Sequence, residues 1–184
     1  LSSSVSSACS DMASIRNSSP PVDLTARVSD CLGQFVRSGD RLVAALSGGV
    51  DSVLLLHVLR KLSGRHGFHL SALHVNHGIS QHSDSWQAFC KRLCETLSIP
   101  LDVKRVDVNR DGGEGLEGAA RRARYGIFAE VTAEWLVLAH HRDDQAETLL
   151  FNLLRGAGVG GAPAMPVVRG FANRPGLGIL RPFL

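Results

Sequence analysis

Ser47-Gly48-Gly49-Val50-Asp51-Ser52 is the stretch of this chain whose residue types and spacing point most directly to chemistry. Two adjacent glycines let a backbone turn tightly and come close to a ligand. Ser47 and Ser52 offer hydroxyls, and Asp51 offers a carboxylate suited to Mg2+ bound to a phosphate. A helix starting here would add free N–H groups and the positive end of its dipole. The stretch is neither G-x-x-x-x-G-K-[ST] nor G-x-G-x-x-G, so it is not a Walker loop or a dinucleotide fingerprint. The bland alternative is a tight turn whose polar groups only cap a helix.

Other reactive residues gather in three further places. His74 and His77 are three apart, and His140 and His141 are adjacent. Four imidazoles can hold zinc, or they can form turns and touch a nucleotide. Arg121 and Arg124 share a helical face, while Arg122 points elsewhere. That face is either a solvated basic surface or a guanidinium site for phosphate. Asp144 and Glu147 are three apart, with Asp143 as a cap. Acids in a first helical turn favour the dipole, and the same pair can hold an ammonium group or Mg2+. Cys90 and Cys94 lie on one helical face and read as core; no C-x-x-C exists. No acid follows Glu147, whereas Arg155, Arg169, Arg174 and Arg181 do. Chance in a loop-rich tail and a surface for phosphate or nucleic acid both fit that distribution.

These groups need elements to position them. Leu42–Leu46 is a short continuous apolar run, as a strand buried on both faces should be. Val50, Val53, Leu54, His57, Val58 and Leu62 then recur at helical spacing. Leu70–Val75 reads as a second strand. Ser83 can cap a helix that stops before Pro100. Leu101–Val106 is a third strand, Asn109–Gly115 a polar gap, and about 116–133 a helix. Trp135–Ala139 is a fourth strand, a helix runs from Asp143 to about Leu154, and Gly178–Leu180 is a short fifth strand. The alternation predicts an α/β fold, a doubly wound parallel sheet of about five strands with helices on both faces. In such sheets ligands sit beyond the carboxyl ends of the strands, so loops 47–52, 74–80 and 139–144 should share one edge.

Length and composition bound the rest. The chain has 184 residues, 44% hydrophobic and 20% charged, enough for one domain with a real core. No apolar run approaches the ~20 residues of a membrane span, so no membrane partner is expected. Cys9, Cys31, Cys90 and Cys94 form no dense disulfide framework, and a cytoplasmic location follows. Residues 1–21 are serine-rich and end in Pro20-Pro21; they read as disordered or extraneous, with Met12 as an alternative start. They lack a secretory pattern, and a transit peptide should carry more arginine and fewer aspartates. The folded domain is placed at 22–184.

Ser-Gly-Gly-x-Asp-Ser after a first strand resembles the pyrophosphate-binding loop of the PP-loop ATPases, which split ATP between the α and β phosphates. His74–Ser80, Glu117–Tyr125, and His140–Thr148 with Arg155–Gly158 together resemble the tRNA(Ile)-lysidine synthetase family over about 40–184. The resemblance implies ATP and Mg2+, with L-lysine and a tRNA(Ile) carrying a CAU anticodon as partners. It assigns Ser47, Gly48, Gly49, Val50, Asp51 and Ser52 to the pyrophosphate, and Asp51 to the metal. It lays Val75 and Asn76 against the adenosine, gives Arg121 the α-phosphate and tRNA backbone, and gives Asp144 and Glu147 the lysine. Cytosine O2 would attack the α-phosphorus, and the lysine ε-amine would then attack C2 and expel AMP. The family carries further segments and a tRNA-binding region downstream, so a chain ending at Leu184 is expected to bind tRNA poorly. Homodimerisation is left open. Two rivals are another PP-loop ATPase, such as a tRNA thiolation enzyme, which relies on C-x-x-C pairs, and a module that only senses ATP.

Overall fold

Leu42 and Ala44 leave the first strand toward one apolar cluster, and Val43 and Ala45 leave it toward another. Strand β1 (Arg41–Ala45) is therefore the centre of the sheet, covered on both faces. In the computed structural model, which describes residues 23–107, 115–154, 164–172 and 174–184, it pairs in parallel with β2 (His69–Asn76) and with β4 (Trp135–Val137). Outside β2 lies β3 (Leu101–Arg105), and outside β4 lies β6 (Gly178–Leu180), both parallel. With β5 (Val168–Gly170) outside β6, the strand order is β3-β2-β1-β4-β6-β5. The expectations for residues 1–21, for the gap at 109–114 and for Arg155–Gly158 lie outside the described residues.

The same strands serve two cores. Ala72, Val137 and Leu180 pack with α1 (Leu24–Phe35), α2 (Val50–His66) and α3 (Ser83–Leu97) through Val28, Leu32, Leu55, Leu59, Cys90 and Cys94. Their neighbours Leu73, Leu136, Leu138 and Ile179 pack against Phe128, Tyr125 and Ile127 of α4 (Gly115–Ala129). Helices thus cover both faces, as the alternation of apolar runs implied. α5 (Arg142–Leu154) follows β4. No helix among the described residues is long and apolar enough to cross a membrane.

Three elements differ from the sequence reading. α1 was not anticipated; Asp23 caps it by accepting from the Thr25 and Ala26 amides, and Val28 and Leu32 bury one turn apart. β5 (Val168–Gly170) was not anticipated either, and it pairs antiparallel with β6, so the sheet has six strands and one mixed edge. Ser83 is the first residue of α3 rather than its cap; its hydroxyl donates to the Ser80 carbonyl.

Gly178 pairs directly with Trp135, and a Cβ there would lie 2.3 Å from the indole ring. The indole cannot swing aside freely, because its N–H donates to Asp40 at 3.1 Å. Gly178→Ala is expected to lower stability by about 1–3 kcal/mol through overpacking. A thermal melt checks it, and an unchanged midpoint would mean that the ring relocates without cost.

Candidate active site

The strand order reverses between β1 and β4, whose neighbours β2 and β6 lie on opposite sides. That switch point opens a crevice at the carboxyl edge of the sheet. A cavity of about 410 Å3 occupies it, lined by Ser47, Asp51, His74, Asn76, Arg124 and Asp144 among others. The three loops expected to share one edge do share it.

The loop between β1 and α2 is tied together by its own hydrogen bonds. Gly48 has φ +91°, a region side chains rarely adopt. The Ser52 hydroxyl donates to the Gly49 carbonyl at 2.9 Å. Its single proton is then engaged, so across the 3.0 Å Ser47–Ser52 contact the Ser47 hydroxyl is the donor. Ser47 Oγ in turn accepts the Gly49 N–H at 3.2 Å. The N–H groups of Val50, Asp51 and Ser52 open α2 and have no acceptor within the helix. Free N–H groups at a helix N-terminus suit an anion, and the half-exposed Asp51 carboxylate stands beside them.

The β2 exit is held by its own polar groups. His74 is buried, and its Nδ1 lies 2.8 Å from the Leu46 carbonyl, to which it donates. Asn76 is buried too; its amide donates to Gln87 and Asp84, and its oxygen accepts the Gly78 N–H. Among the described residues no group of three or more His, Cys, Asp or Glu is placed to hold a metal ion. The four-histidine zinc alternative therefore has no support among them. A single carboxylate such as Asp51 still suffices for Mg2+ that takes its other ligands from phosphate and water.

On the β4 side, the His141 amide donates to Asp144 Oδ2 at 2.8 Å, so Asp144 rather than Asp143 ties down the start of α5. Burial, and then the charge of Arg181, push His140 down to about 4, with Asp144 opposing. A neutral, partly buried imidazole that must charge in acid weakens the fold there. Below about pH 6.5 the unfolded chain takes up the proton and the folded chain does not, so stability should fall from pH 6.5 toward pH 4. The loss should be about 1–2 kcal/mol once partial exposure is allowed for. Denaturant titrations at both pH values, in wild type and His140→Gln, check this; an equal acid loss in the variant would assign it elsewhere.

The cavity wall gathers Ser47, Gly49, Asp51, Ser52, Val75, Asn76 and Asp144 from the expected set. Gly48 and Val50 belong to the loop without lining it, and Arg121 and Glu147 are exposed beyond the wall. Arg121 instead stacks over the Tyr125 ring, 5.3 Å from its centroid, and Tyr125 packs against Phe128 and Phe171. Arg124, one turn on, is the arginine that lines the cavity. Its sequence signal was its place on the Arg121 face. Of the arginines after Glu147, two are engaged within the fold. Arg181 is buried and donates to the Pro166 carbonyl, and Arg174 donates to the carbonyls of Ala129 and Val131. Cys90 and Cys94 are core residues, and burial pushes the Cys90 thiol up to about 11, far from a reactive thiolate.

Residues 22–184 match a family described as a PP-loop domain. The chain is 49% identical over 164 residues to the tRNA(Ile)-lysidine synthase of Nitrosomonas europaea, covering 89% of this chain and 36% of that protein. It is 50% identical over 145 residues to the enzyme of that name from Azoarcus sp., covering 78% and 32%. For the one from Aromatoleum aromaticum it is 51% over 144 residues, covering 77% and 34%. The chain thus spans about a third of the length of these curated relatives. Among solved structures, the U34-tRNA thiolase NcsA from Methanococcus maripaludis, with its [4Fe-4S] cluster, has a similar fold. The TM-score is 0.71 at 18% identity, over 87% of this chain and 57% of that one.

Proposed function

The chain belongs to the PP-loop domain family, and from that premise we propose that it is the ATP-using catalytic part of a tRNA(Ile)-lysidine synthase. The reaction joins L-lysine to C2 of the wobble cytidine of an isoleucine tRNA with a CAU anticodon, in the cytoplasm. One observation carries the reading: an anion seat at the start of α2 and an acid at the start of α5 face one cavity at the β1–β4 switch point.

ATP lies with its pyrophosphate on the N–H groups of α2 and its adenosine toward Val75 and the backbone of Asn76. The exposed Asp51 carboxylate at that helix start fits Mg2+, which would neutralise phosphate charge. The wobble base belongs to a single-stranded loop, so it can be splayed into the cavity without opening a duplex. Cytosine O2 attacks the α-phosphorus and pyrophosphate leaves. Arg124, which lines the cavity, with Arg121 one turn before it on the same helix, answers the charge at the α-phosphate. Asp144 and Glu147 then hold lysine so that its ε-amine, having lost a proton, attacks C2; the new C–N bond forms as the C2–O bond to AMP breaks.

Thiolation has no support in the cavity, since no cysteine lines it among the described residues. The lysine assignment is tested by Glu147→Gln, which keeps volume and removes charge. It is best placed in this chain joined to the C-terminal region of the Nitrosomonas europaea relative, which supplies the length this chain does not span. The lysine KM should rise about tenfold, one charge-assisted contact, with the ATP KM little changed. An unchanged lysine KM with a worse ATP KM would make Glu147 a metal ligand instead.

A further inference from the structure

Helix α5 carries Asp144 and Glu147, yet none of its described side chains is buried, and Leu149, Leu150 and Leu154 are exposed. A helix is usually placed by an apolar face set into the core, and among the described residues α5 has none. Polar bonds at its first turn place it instead. The Gln145 side chain is bonded in both directions to one residue. Its amide donates to the Met165 carbonyl at 2.9 Å, and its oxygen accepts the Met165 N–H at 2.5 Å. A primary amide presents a donor and an acceptor side by side, so this pairing fixes orientation as well as distance.

The other end of the clamp is fixed to the sheet. Arg181, buried at the exit of β6, donates from its guanidinium to the Pro166 carbonyl at 2.9 Å. Its backbone N–H donates to the Val167 carbonyl at 2.8 Å, and Val168 pairs with Leu180. A continuous path of bonds thus runs from β6, through residues 165–167, to the first turn of α5. Gln145 stands between the two acids in sequence, but it does not line the cavity and carries no charge.

We propose that Gln145 is a positioning residue, whose clamp on the Met165 main chain holds the first turn of α5 against the sheet so that Asp144 and Glu147 meet one lysine ammonium. This rests on the lysine reading of the two acids given above. Bonds to a charged group are directional, and misplacing such groups by about 1 Å costs much of the interaction.

The test is made on this chain. Gln145→Ala removes both bonds. Gln145→Glu keeps the shape and one acceptor, and turns an oxygen toward the Met165 carbonyl where a donor stood. L-lysine is titrated by ligand-observed NMR with α,β-methylene-ATP and Mg2+ present, and that nucleotide is titrated alone. Hydrogen exchange is followed in residues 142–154 and, for comparison, in 41–66. Both variants should raise the lysine Kd about tenfold and leave the nucleotide Kd within about twofold. Exchange in 142–154 should quicken about tenfold, with 41–66 unchanged. A lysine Kd within about twofold of wild type in either variant overturns the positioning role. So does a raised lysine Kd without faster exchange in 142–154, because the helix would not have moved. Equal losses of lysine and nucleotide affinity, or faster exchange in 41–66 as well, would make Gln145 a residue of general stability and overturn it too. Glu147→Gln separates the two levels: if it alone raises the lysine Kd, the reading of the acids stands and the clamp fails. A wild-type chain that binds nucleotide but no lysine overturns that reading, and this inference with it.

Discussion

Asp51→Ala should cut tRNA-dependent ATP–pyrophosphate exchange by at least about 10²-fold while leaving the fold intact, since electrostatic stabilisation at a reacting phosphate commonly has that size. The argument is local. Asp51 stands in the first turn of α2, its side chain half-exposed at the cavity, beside the N–H groups proposed to seat the pyrophosphate. Among the described residues its carboxylate approaches only His141, at 3.6 Å, so its loss removes no buried partner. Surface substitutions of this kind change stability by about 0.5 kcal/mol or less. The exchange assay reads adenylation alone, before lysine enters. Exchange at the wild-type rate in the joined protein would remove Asp51 from the phosphate and metal site. A collapsed melting temperature would instead make it a structural residue.

Gly48→Val should abolish nucleotide binding and destabilise the domain as well. The position has φ +91°, where a β-branched side chain is strained by roughly 1–3 kcal/mol. A Cβ there would also meet Cys90 Sγ at 3.4 Å, with Trp86 and Phe89 of α3 close behind. Backbone strain at this φ, with γ-methyls beyond a Cβ already in contact with α3, should shift the loop and weaken the hydrogen bonds among Ser47, Gly49 and Ser52. Isothermal titration with ATP and Mg2+, alongside a thermal melt, checks both consequences. Normal ATP affinity would show that the loop tolerates a different path, and the anion seat would then lie elsewhere.

The turn between β1 and α2 was legible because its residues stand between an apolar run and a helical period, and each does something only its type can do. Gly48 needs the left-handed region, and Ser47 and Ser52 need hydroxyls to bond one another. The parallel sheet was legible for the same kind of reason, since β1 is apolar toward both faces. α1 escaped because its signal, the Asp23 cap with Val28 and Leu32, directly follows a serine-rich stretch. β5 escaped because three residues ending in glycine carry no period at all, and the strand exists only through its pairing with Leu180 and its neighbours. Among site residues, spacing put Arg121 and Arg124 on one face but could not say which would reach the cavity. Likewise, the histidine motif does not show that His74 is occupied by a backbone carbonyl while His141 reaches two acids. Those outcomes depend on distances between residues remote in sequence.

The most direct test of the account is the lysine dependence of AMP release. The joined protein is incubated with ATP, Mg2+ and isoleucine tRNA bearing a CAU anticodon, with and without L-lysine. The full-length Nitrosomonas europaea relative serves as the control. The account predicts pyrophosphate release on adding tRNA, and AMP release with a lysine-modified cytidine only when lysine is present. AMP release at the same rate without lysine, or a tRNA left unmodified while the control modifies it, would contradict the assignment of this cavity to lysine ligation.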